Sequence, residues 1–130
     1  MSIYVRFKSS IPVDMKMIEY DIEVSGVNHR YYNVKKFAQR SKRRIYLERE
    51  PDNKHNLNAI RVIGESKGWF FEVKKCIGYV PADVAKQLVA TGLEDIVKPQ
   101  LRFIWIDNKN HMAVLFDILG LESDYEKYYS

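Results

Sequence analysis

Residues 47–62 read Leu-Glu-Arg-Glu-Pro-Asp-Asn-Lys-His-Asn-Leu-Asn-Ala-Ile-Arg-Val, a polar loop between two apolar segments. The segment Arg44–Arg49 has the composition of a strand, which Pro51 ends, and Ala59–Ile63 begins another strand. Two strands joined in this way predict a sheet that presents the loop at its edge. Loops held by a rigid scaffold often carry function, so this loop is a candidate site.

Short strands and turns continue on both sides of this stretch. Strands are predicted at 3–8, 18–24, 69–80, 96–106 and 112–119, turns at 65–68 and 107–110, and helices at 34–40 and 81–89. Strands outnumber helices by roughly three to one, and no alternation of strand, helix and strand recurs. This pattern predicts a mostly β protein, a small and mainly antiparallel β-barrel with two short helices.

Length and composition indicate one domain. The chain has 130 residues, which we divide into a domain at 1–120 and an acidic, tyrosine-bearing tail at 121–130 that is expected to be loosely packed. No apolar run approaches the ~20 residues of a membrane span, and residues 1–8 lack a signal-peptide pattern, so we expect no membrane partner and a cytoplasmic location. The single cysteine, Cys76, fits a reducing compartment and is expected to be a buried structural thiol.

The charge is moderately basic and unevenly distributed. The net charge is +4 and the pI about 9.1, which permits binding to a polyanion. The middle of the chain carries a cationic cluster, of which we select four members as a sequence-independent contact for phosphates: Arg40, Lys42, Arg43 and Arg44. A solvated face without function is the alternative interpretation of such a cluster.

Three groups of residues are candidates for contacting a ligand. Arg30, Tyr31 and Tyr32 follow Gly26, and adjacent tyrosines cannot both face inward, so at least one ring is expected to be exposed as a platform for a base. The alternative is that one tyrosine packs in the core and the other bonds nearby backbone.

The other two groups lie further along the chain. Asn53, His55 and Asn56 form a polar loop whose amides otherwise serve only to stabilise turns. Tyr79, in Ile77-Gly78-Tyr79-Val80-Pro81, lies where a strand meets a helix, although it is also suited to the core.

The sequence contains no recognisable enzyme signature. A glycine-rich phosphate loop, a nucleophile elbow and paired metal-binding histidines are all missing, so we expect no catalytic residues, no metal site and no cofactor. A metal-dependent nuclease is a remote alternative hypothesis, and nothing in the spacing of the carboxylates favours it. The carboxylates concerned are Asp21, Glu23, Asp107 and Asp117.

The three candidate groups, in this order, resemble the HIRAN family. Its pattern is a Gly-x-x-x-x-Tyr-type loop, a Glu-Pro-x-Asn-x-x-x-x-Asn-Ala-Ile block and an Ile-Gly-Tyr-Val-Pro block, which match here over 24–32, 47–62 and 77–88. The resemblance covers 20–91 well and the closing strands loosely. It implies a modified OB-like β-barrel that binds DNA, and in the best-known relative the domain holds the 3′ end of a single strand at a stalled replication fork.

The resemblance also implies roles for individual residues. Arg30, Tyr31 and Tyr32 resemble the stacking and phosphate-holding loop; Asn53, His55 and Asn56 resemble the loop that recognises the strand end; and Tyr79 flanks the same groove. Four positions depart from that relative: His55 replaces Tyr, Asn56 replaces Asp, Tyr79 replaces His and Ala82 replaces Lys. An amide at position 56 lacks the charge that strengthens a bond to a terminal hydroxyl.

Two functions from different classes follow. The first is a non-enzymatic module that binds single-stranded DNA or DNA ends in repair or replication-fork processing, together with a separate helicase, nuclease or other DNA-processing protein. The second is a protein-interaction adaptor of a bacterial or phage DNA-processing system, with Tyr125, Tyr128 and Tyr129 as a candidate contact.

Overall fold

A computed structural model describes residues 2–130, and over that range the chain forms seven β-strands, one 3-10 turn and three short α-helices. In chain order the elements are β1 (Ile3–Arg6), β2 (Met15–Glu23), the 3-10 turn (Val27–Arg30), α1 (Tyr31–Ala38), β3 (Ser41–Arg49), β4 (Ile60–Lys67), β5 (Glu72–Tyr79), α2 (Ala82–Ala90), β6 (Lys98–Ile106), β7 (Met112–Leu121) and α3 (Glu122–Tyr129). The expectation of a mostly β protein is confirmed, with three α-helices where two were predicted.

The strands are arranged as two antiparallel sheets. A four-stranded sheet has the order β1-β6-β7-β2, and a three-stranded sheet has the order β3-β4-β5. Within residues 2–130 no closed barrel forms, so the expectation of a β-barrel is confirmed only in part: the strands form two sheets that do not close. Alternation of apolar residues identifies a strand but not its neighbours, and here the neighbours divide between two sheets.

The two sheets are joined at one corner by a pair of backbone hydrogen bonds. The amide of Ser25 donates to the carbonyl of Tyr79 (2.8 Å), and the amide of Tyr79 donates to the carbonyl of Ser25 (2.9 Å). Gly78 makes this approach possible, because a β-carbon there would lie 2.6 Å from the Val24 side chain and would collide with the Ser25 carbonyl. Its φ of +155° is also strained for other residues. Beside this junction, strand β5 contains a bulge at the point opposite Val62 and Ile63 of β4.

One continuous core lies between the sheets and the helices. Helix α1 contributes Phe37, the four-stranded sheet contributes Phe116 and Ile104, the three-stranded sheet contributes Ile60, and α2 contributes Leu88, all with no exposed surface. Residues from every part of the chain share this cluster, so both sheets are needed to exclude water from it.

The C-terminal residues, expected to be loosely packed, form helix α3 instead. Tyr128 is buried, and the hydroxyl of Tyr129 donates to the carbonyl of Ile18 and to Glu19 (3.1 Å). Desolvation and this contact with Glu19 raise the pKa of Tyr129 to about 12. Loose packing was expected because the segment has little apolar character beyond its tyrosines. Those same tyrosine rings hold α3 against the rest of the domain.

Several boundaries differ from those predicted. Helix α1 begins at Tyr31, three residues before the predicted start, so both tyrosines lie in its first turn. Strand β4 runs through Lys67, and the turn that follows it is Gly68–Phe71 rather than Glu65–Gly68. In the part of the chain that the structure describes, no helix has the length and apolar character needed to cross a bilayer.

A partly buried ion pair lies on the three-stranded sheet. Glu65, 8% exposed, accepts from the Nε and Nη2 atoms of Arg44 at 2.8 Å each and from the hydroxyl of Tyr46 at 3.3 Å. The hydrogen bond from Arg44 is the main reason why the pKa of Glu65 lies below its ordinary value of 4.5.

We predict that Gly78→Ala destabilises the protein by about 2 kcal/mol or more, since it adds a steric clash to backbone strain. Gly26→Ala is the matched control, because Gly26 also has a positive φ (+78°) but a β-carbon there meets nothing within 4 Å. Urea unfolding of both variants measures the difference. Equal losses of unfolding free energy would show that the junction tolerates a β-carbon.

We also predict that Glu65 contributes to acid sensitivity. A carboxyl whose pKa is lower in the folded state stabilises the fold above its unfolded pKa, and this stabilisation is lost as the pH falls through the folded value. Wild type should therefore lose more unfolding free energy between pH 7 and the region below about 4.5 than Glu65→Gln does. Urea titrations at both pH values measure this, with the exposed Glu126→Gln as control; the same loss in wild type and Glu65→Gln would contradict it.

Candidate nucleic-acid interface

The loop between β3 and β4, the end of β5 and the beginning of α2 surround an open cleft of about 350 Å³, which we call the Tyr79 cleft. Its lining consists of Ser25, Asn53, His55, Asn56, Ala59, Tyr79, Val80 and Ala82. The structure therefore brings together the second and third candidate groups, which are more than twenty positions apart in the sequence.

Arg30 links the first candidate group to this cleft. Its Nη2 atom donates to the hydroxyl of Tyr79 (3.3 Å), and its guanidinium carbon lies 5.4 Å from the centre of the Tyr79 ring. The residues 29–33 line an adjoining depression of about 160 Å³. The first candidate group thus reaches Tyr79 through Arg30, whose cation is held against the Tyr79 ring.

Glu50 holds the other side of Tyr79. The Tyr79 hydroxyl lies 3.2 Å and 3.3 Å from the two carboxylate oxygens of Glu50, and Arg61 contacts the same carboxylate at 3.5 Å. Asn53 donates to Glu50 as well, at 2.7 Å. A partly buried carboxylate with three partners fixes the aromatic ring and the loop relative to each other.

Asn53 also organises its own loop. Its side-chain oxygen accepts from the backbone amides of His55 (2.9 Å) and Asn56 (3.0 Å), while Asn56 accepts in turn from the amide of Asn58 (3.0 Å). These are the turn-stabilising contacts that the sequence admitted as an alternative for this loop. His55 remains exposed on the rim, and a direct ligand contact by any of the three residues stays a prediction.

The two adjacent tyrosines have different surroundings. Tyr31 is half-buried and its hydroxyl donates to Asn110 (2.8 Å) in the turn between β6 and β7. Tyr32 is 78% exposed, and its ring meets that of Tyr31 edge to face at 5.3 Å. One ring is therefore exposed, as expected, and Tyr32 is the one available to stack on a base.

The predicted cationic cluster lies away from the cleft. Arg43 and Glu50 lie seven positions apart in extended chain, a distance of about 23 Å. Arg43 donates to the carbonyl of Ala38 (2.8 Å) and Arg44 pairs with Glu65, whereas Lys42 is exposed and Arg40 lies 4.9 Å from the ring of Phe71. The structure does not bring these four cations to the Tyr79 cleft, and a phosphate contact by them stays a prediction.

The strand carboxylates have structural partners. Asp117 is fully buried, where it accepts from Arg102 (2.7 Å) and from the amide of Asp21 (3.0 Å). Among residues 2–130, no group of three or more His, Cys, Asp or Glu side chains is arranged to hold a metal ion. Cys76, expected to be buried, is only partly so, and its carbonyl accepts from Asn33 (3.0 Å).

Sequence reasoning missed two features. Glu50 was seen only as part of a motif, although a glutamate three residues before a loop asparagine is well placed to receive its amide. The turn between β4 and β5 was misplaced, so the exposure of Trp69, Phe70 and Phe71 went unnoticed: they are 93%, 88% and 60% exposed. The sequence signal that could have indicated an exposed turn here is the run of three consecutive aromatic residues directly after a glycine.

Comparison with known proteins agrees with this geometry. The family model described as "HIRAN domain" matches residues 20–121. The solved structure described as "NMR structure of the HLTF HIRAN domain" superposes with a TM-score of 0.53 at 18% sequence identity, over 90% of this chain and 88% of that one. No curated protein sequence matches the chain significantly. The likeness to the solved structure supports the fold alone, while the family model covers most of the chain.

We predict that Asn53→Ala loosens the loop without unfolding the protein. It removes three hydrogen bonds, two of which protect the amides of His55 and Asn56, and we expect a loss of about 1–3 kcal/mol of local stability. Hydrogen exchange by NMR should show faster exchange at those two amides and little change in β6 and β7. The exposed Lys54→Ala is the control; unchanged exchange in Asn53→Ala would contradict the assigned contacts.

Proposed function

Because the chain belongs to the HIRAN domain family, we propose that it is a non-enzymatic module that binds single-stranded DNA and takes the 3′ end of the strand in the Tyr79 cleft. The observation that carries this proposal is the meeting of Tyr79, Arg30 and the Asn53–Asn56 loop around one open cleft. An aromatic face, a guanidinium and amide donors are the groups that hold a base and a phosphate.

The chemistry of the cleft favours binding without turnover. Tyr79 and Arg30 are held by fixed partners, and a carboxylate, Glu50, serves to position them. Residues ordered before a ligand arrives lose less conformational entropy on binding, so affinity is gained without any reacting group. We therefore assign His55 to a rim contact with the strand.

The preference for a strand end depends on Asn56. Its side-chain oxygen already accepts from the amide of Asn58, so one lone pair of that oxygen and the two amide hydrogens remain for a ligand. An amide donor suits a phosphate oxygen as well as a terminal hydroxyl oxygen. We propose that the cleft accepts a 3′ end with less discrimination between hydroxyl and phosphate than a carboxylate at this position would give.

The cellular role that we propose follows from a module without catalytic groups. It places a strand end during DNA repair or replication-fork processing, and a separate helicase, nuclease or other DNA-processing protein performs the chemistry. A protein-interaction adaptor is the competing function. Of its candidate contacts in α3, Tyr128 is buried and Tyr125 packs partly against the core, which leaves only Tyr129, 53% exposed, with a large free surface.

We predict that labelled short single strands bind and that Tyr79→Ala and Arg30→Ala each weaken binding about fivefold to hundredfold, the range for loss of one stacked base or charged contact. Fluorescence anisotropy measures this for strands ending in a 3′-hydroxyl, a 3′-phosphate or a blocked 3′ end. Tyr20→Ala, which removes an aromatic ring that is 70% exposed on β2, is the control.

The three strand ends separate the components of this proposal. Binding that is weakened by the bulky block and falls in Tyr79→Ala supports capture of the 3′ end. Equal binding to all three ends would leave a general strand-binding protein and refute end capture. No affinity for any strand, together with specific retention of a protein partner, would favour the adaptor.

We predict a moderate dependence of this binding on salt. If about three phosphates are contacted, the logarithm of the association constant falls against the logarithm of salt concentration with a slope of roughly −2, from ~0.7 per phosphate on a single strand. Anisotropy titrations over a range of salt concentrations give the slope. A slope near zero would refute the electrostatic contribution.

A further inference from the structure

The β4–β5 hairpin ends in a four-residue loop, Gly68–Phe71, which we call the aromatic tip. The amide of Gly68 donates to the carbonyl of Phe71 (3.0 Å), and Lys67 pairs with Glu72 across the hairpin. Trp69 and Phe70 project almost completely into solvent, with ring centres 6.0 Å apart. Large apolar side chains held in this way are costly to expose without a binding role.

Cations surround this tip on the side that faces α1. A groove of about 370 Å³ between α1 and the beginning of β5 is lined by Lys36, Arg40, Phe71, Glu72, Val73, Lys74 and Lys75. Arg40 packs its guanidinium on the ring of Phe71 and against Gly68. The carboxylate of Glu72 lies 3.6 Å from Lys67, so the groove keeps an excess of positive charge.

The groove and the Tyr79 cleft are two ends of one surface. Helix α1 runs antiparallel to β5. Arg30, immediately before α1, contacts Tyr79; Asn33, in its first turn, bonds the carbonyl of Cys76; and Arg40, just beyond its end, reaches the aromatic tip. Tyr32, which lines the depression beside Arg30, is exposed, as are Lys36 and Lys75, which line the groove. Strand β5 from Tyr79 to Glu72 spans about 23 Å.

We propose that the aromatic tip and the α1–β5 groove form a second contact for the same single strand, which leaves the Tyr79 cleft along α1 and stacks bases on Trp69 and Phe70. This inference rests on the proposed function and adds to it the path and the length of the bound strand. Exposed aromatic rings alternating with cations are the composition of single-strand platforms. At the duplex rise of about 3.4 Å per nucleotide, the path requires roughly seven nucleotides.

A bilayer surface is the other ligand class that aromatic residues beside lysines attract. The arrangement of the cations favours the strand. They do not stop at the tip but continue along α1 to Arg30, and a membrane anchor has no need of that continuity, whereas a phosphate backbone follows it.

The test compares a strand of about three nucleotides, which is too short for the path, with one of about twelve. Wild type should bind the longer strand at least about tenfold more tightly. Trp69→Ala and Phe70→Ala should each weaken binding of the longer strand about fivefold or more and leave the shorter strand within about twofold. Both residues are exposed, so neither variant loses core packing.

Two further variants sharpen this comparison. Trp69→Phe keeps a stacking ring and should retain most of the affinity, and Tyr20→Ala removes an exposed ring on the other sheet and should change nothing. Quenching of tryptophan fluorescence by the longer strand, absent in Trp69→Phe, reports contact at the tip directly.

Several results would overturn the inference while leaving the proposed function intact. These are equal affinity for both strand lengths, or a twelve-nucleotide affinity that Trp69→Ala does not alter. If wild type associates with anionic lipid vesicles and Trp69→Ala abolishes that association without affecting strand binding, the aromatic tip contacts a membrane instead. If wild type self-associates, Trp69→Ala does not, and both bind the strands equally well, the aromatic tip contacts a second copy of the chain instead. Failure of the proposed function would be seen separately, because wild type would then not bind the three-nucleotide strand at all.

Discussion

Two backbone hydrogen bonds between Ser25 and Tyr79 are the contact on which the rest of the structure depends. They are the point where Ser25, two residues beyond β2 of one sheet, pairs with the last residue of β5 in the other. The bulge in β5 and the glycine at position 78 allow the two backbones to approach, and the same geometry turns the Tyr79 ring toward Glu50 and Arg30. The device that joins the sheets therefore also orients the central residue of the cleft.

The polar residues of the cleft divide into those that build it and those that face solvent. Asn53 and Glu50 bond mainly within the protein, whereas His55 and Tyr32 remain open to a ligand. A loop ordered by its own side chains presents its free groups in fixed positions, which lowers the entropic cost of binding. Conversely, Arg44 shows that a cation in a basic run can have an anionic partner inside the fold, here Glu65, which offsets its charge at long range. Arg43 donates to the neutral carbonyl of Ala38 and keeps its charge.

Much of the fold could be predicted because it rests on local signals. The strand-like composition of residues 44–49 and 59–63 and the proline at 51 each specify a strand or its end. Sheet membership could not be predicted, because it depends on pairings such as Met15 with Leu121 that leave no local trace. The candidate cleft was predicted where its residues form a motif, as at 53–56 and 79. The exposure of Trp69–Phe71 was not predicted, since an aromatic run there is equally compatible with a buried strand and with an exposed turn.

The position of β2 has a consequence for how binding competence arises. Strand β2 pairs only with β7 among the described strands, so the element that carries Ser25 to the cleft is held by residues 112–121, almost a hundred positions later in sequence. Contacts of such long sequence separation form late, since much of the chain must be ordered before they can close. A nascent chain that has already synthesised Arg30, Asn53 and Tyr79 therefore still lacks an assembled cleft. The cleft is complete only when β7 docks, so under the proposed function an unfinished polypeptide would not compete for strand ends.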